Sequence, residues 1–437
     1  MIDDNRGRTW VWPTAAITIA VALIYFGTGL FRVYEIPWSK PFFNDGTSAT
    51  ADFDDGLTDE QRDFVLVPVS EEERNTFQRY QRVADLLGKN RLDQRSSEKT
   101  IEELWQAVPE ENQPAVEEAI RLALESAKLP ACADFSPATT NIAEAATSKA
   151  AGTMQSALDL VLFDARREIE NGNLDDALDR FRSALAVSRH AAGRGSEMNW
   201  WSSHWLTNQT LAAIQEWAKH AVVNAELIDE ASKIIDEHRQ QIMPVEVTNY
   251  VAAIMIRNTL DADMFTLTEL LGDSQERLPL LLATKFPGEL ARSHRLLNGM
   301  ERYDIDAMKS YRNQQAAAEV VNGYGLADWY SRSAGRDNSQ NEFEFVAYRY
   351  VNNTPLLAMI ASGPARDQLC LQDIRTECQV RATTVLMRLL LKQRETGKLP
   401  ATLDELAESR NDPWSNKPFR WYPEGLPGDL LLRDRVK

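Results

Sequence analysis

The chain has 437 residues, 43% of them hydrophobic and 26% charged, a balance that buries ordinary cores and excludes a disordered or fibrous protein. Sixty-five acidic residues face 48 basic ones, and the formal charge of -17 repels phosphate backbones, so nucleic acid is excluded as a partner. Three cysteines among 437 residues make neither a disulfide framework nor a metal cluster.

Residues 1–9 read as a short cytoplasmic head and residues 10–31 (WVWPTAAITIAVALIYFGTGLF) as a single transmembrane helix. The segment carries no charge, and at about 1.5 Å per residue it spans a hydrocarbon core of about 30 Å. Trp10 and Trp12 stand at one end, and Tyr34 and Trp38 follow the other, where amphipathic rings favour the headgroup layer. A cleaved signal would place small residues at a cut site, whereas Arg32-Val-Tyr-Glu-Ile-Pro-Trp follows, so an uncleaved signal anchor is the reading. Arg6 and Arg8 before the span nearly balance Arg32 and Lys40 after it. The large domain that follows a short head then favours N-in topology, with the body periplasmic and the bacterial cytoplasmic membrane as location.

Residues 32–68 form an acidic tether with Pro37, Pro41, Gly46 and Gly56 and little periodicity. A helical subdomain is expected over 69–150. Ser70-x-x-Glu73 and Thr100-x-x-Glu103 are capping boxes, Gly88 ends the first helix, and Pro114 opens a helix through Val116, Ile120, Leu124 and Ala127. A Ser/Thr/Ala-rich stretch from Leu129 to Thr153 suggests a boundary near 150.

The main helical domain is expected over 151–396. Leu158, Leu162, Ala165 and Ile169 share one helical face, Asn171-Gly172-Asn173 is a turn, and Ala177, Phe181, Ala184 and Leu185 share the next face. Ala165, Gly172, Leu174, Ala177, Phe181 and Ala184 make this hairpin (154–189) resemble one tetratricopeptide unit, which implies peptide binding. The pattern is not repeated 34 residues away, and a repeat array needs about three units. Further helices are expected at about 204–221, 228–243, 246–271 and 301–322, while 341–351 fits neither helical nor strand period. Cys370, Ile374, Cys378, Val385 and Leu389 mark a long helix ending at Gly397. If that helix is continuous, the two cysteines lie about 12 Å apart along its axis, beyond the roughly 7 Å that a disulfide spans.

Residues 397–437 read as a short helix capped by Thr402-x-x-Glu405, then a β-hairpin from Phe419–Tyr422 and Asp429–Leu432. Gly397-Lys-Leu-Pro400, Leu403-Asp-Glu-Leu406 and Asp412-Pro-Trp-Ser-Asn-Lys-Pro-Phe419 resemble the globular end of type II secretion pseudopilins. The apolar span departs from that family, having neither its glycine cleavage site nor its glutamate. Anchor, acidic helical body and tail together resemble uncharacterised membrane-anchored helical families of bacteria. The fold class is therefore mostly α, with one transmembrane helix, a multi-helical soluble body and a small C-terminal β-hairpin.

Chemistry is thinly marked. His190, His204, His220, His238 and His294 lack the i, i+4 spacing of a metal-binding helix, so no metal or other cofactor is expected. Gly193-Arg-Gly-Ser196 and Gly323-Tyr-Gly325 read as turns, since neither continues into a phosphate loop. The acids Glu102, Glu103, Asp175, Asp176 and Asp179 recur on helices, and Asp261, Asp263 and Glu269 interrupt an apolar run as a candidate acid set. Catalytic residues are not identifiable. Trp200, Trp201 and Trp205, with Asn199, His204 and Asn208, form the best candidate binding surface, the competing reading being that these rings cap the core. The sequence reads best as an envelope interaction or scaffold protein, bound to the lipid bilayer through 10–31 and engaging a protein partner. The alternatives are a tethered carboxylate-dependent hydrolase of envelope polymer and a pseudopilin-like secretion component.

Overall fold

The computed structural model describes residues 57–88, 100–140, 144–145, 148–221, 224–261, 366–406, 411–413 and 417–423. Local signals set the first helices. In α1 (Asp59–Leu66) the Thr58 hydroxyl accepts from Gln61 N at 3.2 Å while Gln61 Oε1 accepts from Thr58 N at 2.9 Å, satisfying two N–H groups that a helix start leaves without partners. Ser70 and Glu73 do the same for α2 (Glu71–Leu87), and Thr100 and Glu103 for α3 (Ile101–Gln106). A 3₁₀ turn at Glu110–Asn112 leads into α4 (Gln113–Ala127), with Pro114 in its first turn.

The hairpin follows as α5 (Ala150–Glu170) and α6 (Leu174–Ala192). Its turn needs Gly172, whose φ of 82° suits a residue without Cβ. Asp164 is 2% exposed on the inner face of α5, where the Arg180 guanidinium donates from Nε at 2.7 Å and Arg167 from Nη2 at 2.5 Å. Two glycines, Gly193 and Gly195, turn the chain into α7 (Glu197–Ala221). Gly195 has a φ of 87°, which favours a residue without Cβ, and a Cβ there would also lie 2.8 Å from Met243 Sδ and displace that side chain. At the far end of α7 the Trp217 indole donates to Leu174 O at 3.2 Å and meets the Phe181 ring edge-on, which sets α7 antiparallel to α6. Then come α8 (Ala225–Gln241), capped by Asn224, α9 (Val245–Asp261), and α10 (Arg366–Thr396), which lies against α7 and α8.

One buried cluster runs from Phe77 and Tyr80 on α2 through Phe163, Phe181 and Trp217 to Val380 and Met387 on α10. The boundary expected near 150 therefore does not coincide with a break in the core. The Ser/Thr/Ala-rich stretch lies on the body: Cys132 and Ala133 are buried, and Asn258 Nδ2 donates to the carbonyls of Pro137 and Thr140.

The described end of the expected tether differs in the same way. Residues 59–66 are helical, and Val65 is fully buried against Val247, Tyr250 and Val251 of α9. An acidic run hides a helix because Leu57 and Val65 suffice to pin so short a segment.

Helix α10 runs unbroken through Cys370 and Cys378 to Gly397, so the eight-residue spacing holds the two apart. Beyond it, Leu403, Leu406, Phe419 and Trp421 pack on Val385 and Leu389, and the Trp421 indole donates to Pro400 O at 2.8 Å. The expected strand at Phe419–Tyr422 is not formed. An isolated bridge between Asn411 and Pro418 is what pairs there, and no strand occurs among the described residues. Its partner segment 429–432, the apolar span 10–31, the helices expected at 262–271 and 301–322, Asp263, Glu269, His294 and Gly323–Gly325 lie outside the described residues. Among the described residues, no helix is long and apolar enough to cross a membrane.

Candidate functional site

The three tryptophans named from the sequence do not form one platform. Successive helical residues point about 100° apart, so Trp200 and Trp201 leave α7 in different directions. Trp200 is fully buried, donates from its indole to Met243 O at 3.0 Å, and belongs to the interior. Trp201 is half-buried and meets Trp200 edge-on, while Trp205 is 42% exposed one turn further on. The binding surface expected from all three is thus reduced to Trp201 and Trp205.

The ring beneath them is more informative. The His204 centroid lies 3.8 Å from that of Trp200, with the side chain 2% exposed. Burial drives its pKa down to about 3, so the imidazole is neutral and carries one N–H donor and one bare nitrogen acceptor. Neither nitrogen has a hydrogen-bond partner.

The other two buried histidines show what this fold ordinarily does with an imidazole. His190 Nε2 donates to Leu129 O at 3.0 Å, which leaves Nδ1 to accept from the Tyr80 hydroxyl at 2.9 Å. At His238 the Arg189 guanidinium can only donate, so Nδ1 accepts from it at 3.2 Å and Nε2 donates to Thr207 Oγ1 at 3.1 Å. Burial, with Arg189 nearby, lowers both, to about 4 for His190 and about 3 for His238. Two histidines are paired at both nitrogens; His204 is paired at neither.

His204 lines a cleft of about 210 Å³ between α7, the end of α8 and α10, together with Arg239, Ile242, Met243, Pro244, Asp373, Thr376 and Glu377. Pro244 sits just past α8, and the Trp200 hydrogen bond holds the 243 carbonyl in place, which fixes the apolar wall. Asp373, Thr376 and Glu377 are three and four residues apart on α10 and so share its cleft-facing side. Glu377 Oε2 accepts from Arg239 Nε at 3.0 Å, and Oε1 accepts from Arg239 Nη2 and from Arg381 Nε at 2.7 Å. Thr376 Oγ1 accepts from Asn208 Nδ2 at 3.3 Å.

Four of the eleven buried side-chain atoms without partners among the described residues share one stripe. Trp201 Nε1, both His204 nitrogens and Asn208 Oδ1 are buried and unpaired, and residues 201, 204 and 208 recur at the spacing of one helical face. Leaving a buried polar atom without a partner costs about 1–3 kcal/mol, so these four concentrate that cost on one side of α7.

The remaining candidates do not join this site. His220 and the acids Asp175, Asp176 and Asp179 are on exposed helix faces. Among the described residues, no three His, Cys, Asp or Glu side chains are placed to hold a metal ion. Glu197, in the first turn of α7, has its pKa pushed up to about 7 by burial. Cys378 Sγ lies 3.4 Å from Asp412 Oδ1, and burial, then the Asp412 charge, push its thiol up to about 12, far from a reactive thiolate. Arg239, Asp373, Thr376 and Glu377 carried no signal in the sequence beyond the shared helical face of the last three. No family model matches the chain, and no curated protein or solved structure matches it either.

Proposed function

We propose that this protein is an interaction protein of the bacterial envelope, anchored by residues 10–31, whose helical body binds a ligand in the His204 cleft. The observation that carries the reading is a fully buried imidazole, unpaired at both nitrogens, in the wall of a cleft bordered by charged side chains. The fold pairs both nitrogens of His190 and His238 but neither of His204, and a ligand for which the cleft opens would supply the missing partners.

The hydrolase alternative has less support. Asp373 and Glu377 do border one cleft, but both carboxylate oxygens of Glu377 already accept from the guanidiniums of Arg239 and Arg381, which ties the group to structure rather than to a substrate. The pseudopilin-like alternative draws on the tail, where a 31-residue helix, a capped turn and the Asp412-Pro413 turn follow in that order and the tail packs back on the helix.

The test of binding uses the detergent-solubilised chain and a dialysable extract of bacterial envelope. The extract raises the melting temperature of the wild type and not of His204→Phe; no shift, or equal shifts, overturns the reading. The anchor is tested with Ser48→Cys in cells with a permeabilised outer membrane. Labelling by a membrane-impermeant thiol reagent is expected, and labelling that waits for inner-membrane rupture overturns the topology.

A further inference from the structure

His204 is sealed while the cleft is closed, and what backs the cleft wall leads to the first helix of the body. Helix α1 buries one side chain, Val65, whereas α2 buries six. A helix of eight residues is marginal in water, so α1 depends on its dock to stay helical.

That dock is shared with the cleft. Val65 rests on Val247, Tyr250 and Val251 of α9, and Met243, which lines the cleft, packs on the same cluster. Gly195 lies on it too, since a Cβ there would stand 3.4 Å from Val247 Cγ1 and 3.5 Å from Val251 Cγ2. Arg194, 5% exposed, ties this turn to α1: its Nη1 donates to Phe64 O, and its Cζ lies 4.5 Å from the centroid of the Phe64 ring. On the other side of the turn, Trp200 holds Met243 O by its indole and covers His204. Among the described residues this cluster is distinct from the core of Phe163, Phe181 and Trp217, so it can loosen while the hairpin stays packed. The closed form also leaves Arg194 Nε and both His204 nitrogens buried without partners, and water that enters on opening satisfies them.

We propose that α1 is a releasable latch on the cleft. When it leaves α9, Arg194 loses its hold on Phe64, the apolar backing of Met243 is wetted, and the 193–195 turn and the 243 loop move off His204 together. Helix α1 is the first described helix after the residues read as a tether, so a load on the tether meets it before the rest of the body. The inference rests on the reading of the cleft as a binding site and adds how that site is opened.

The experiment compares the wild type with Val65→Asp, as full chains in detergent at neutral pH. Amide hydrogen exchange reads the release of α1, and diethylpyrocarbonate, which acylates an accessible neutral imidazole, reads the opening at His204. In the wild type the amides of α1 are expected to exchange faster than those of α2, and His204 to react slowly. A carboxylate is not tolerated in the Val65 site, so in the variant residues 59–66 should exchange like an unfolded peptide. His204 should then react at least about tenfold faster, the ratio that loss of one buried valine implies. The amides of α6 and the reaction of His190, which is paired at both nitrogens, should not change.

Unchanged His204 reactivity with α1 released overturns the latch. A parallel rise at His190 and α6 also overturns it, because that is general loosening, and so do wild-type α1 amides as protected as those of α2. Should Val65→Asp fail to fold, Val65→Ala carries the test: a smaller rise in the same two readouts is expected, and no rise refutes the latch. A rise at His204 without any melting shift from the envelope extract refutes the binding reading and leaves the latch standing. A melting shift without that rise refutes the latch alone.

Discussion

The α5–α6 hairpin and the α7–α8–α10 cleft sit side by side on one core and differ in how many buried polar atoms they leave without partners. Inside the hairpin, Asp164 is paired twice, Ser188 donates to Ala184 O, and His190 is paired at both nitrogens, while Gln155 Oε1 goes without a partner. Along the cleft stripe four buried atoms from Trp201 to Asn208 go without partners. The difference teaches that the hairpin's polar interior serves stability, while the cleft carries a cost that folding alone does not offset.

The largest expected effect is on acidification. Each buried histidine has a folded pKa below its unfolded value of about 6.5, so the unfolded chain takes up protons first and stability falls as pH drops from about 6.5 towards the folded values of about 3 to 4. Glu197 acts oppositely. Its raised value of about 7 makes the folded state the better proton binder between about 4.5 and 7, which offsets one histidine. The net of two protons predicts a loss of about 2.7 kcal/mol per pH unit between pH 6.5 and 4.5, and a flat profile above pH 7. Urea midpoints at four pH values measure it, and His204→Phe should cut the slope by about half. An unchanged slope would show that His204 titrates normally and is not sealed in.

Next comes the hairpin itself. Phe181 is 1% exposed and meets Trp217 with centroids 6.1 Å apart, so Phe181→Ala should cost about 3–5 kcal/mol. A loss below about 1 kcal/mol would mean that α6 and α7 do not share the interior described. Arg194→Ala should cost a similar amount, about 3–5 kcal/mol, because Arg194 Nη2 donates to Glu73 Oε2 at 2.7 Å with both side chains at most 9% exposed, and the buried carboxylate would lose its charged partner and keep only the neutral donors of Ser70. Burial pushes the Glu73 carboxyl up, but Ser70 and Arg194 outweigh it and hold the pKa below the usual range. The variant's extra loss should therefore shrink as pH falls through that lowered value, a trend that chemical denaturation can follow.

What was legible in the sequence was local. Ser70-x-x-Glu73, Thr100-x-x-Glu103 and the Asn171–Asn173 turn each complete their geometry within four residues, and each occurs as read. Thr58-x-x-Gln61 obeys the same rule but was lost in an acidic run, where one buried valine gives no periodicity. Trp200 was misplaced because the sequence names a cluster of rings but not the rotation of the helix relative to the 243 loop. The cleft was out of reach. Arg239 and Glu377 are 138 residues apart, and nothing in either neighbourhood indicates that the two will meet.

Smaller effects sharpen the comparison. Ser70→Ala removes one half of a capping box and a hydroxyl that donates to Glu73 at 2.8 Å, so a loss of about 1 kcal/mol is expected in thermal unfolding. His204→Phe is expected to move the other way. The hairpin loses stability when an apolar ring is cut down, whereas the cleft should gain up to about 1 kcal/mol when an unpaired imidazole becomes apolar. The added ring volume has the adjoining cleft to enter, so overpacking should not cancel the gain. A loss above about 1 kcal/mol would show that both imidazole nitrogens find partners within the folded chain, and the contrast between the two regions would then rest on Trp201 and Asn208 alone.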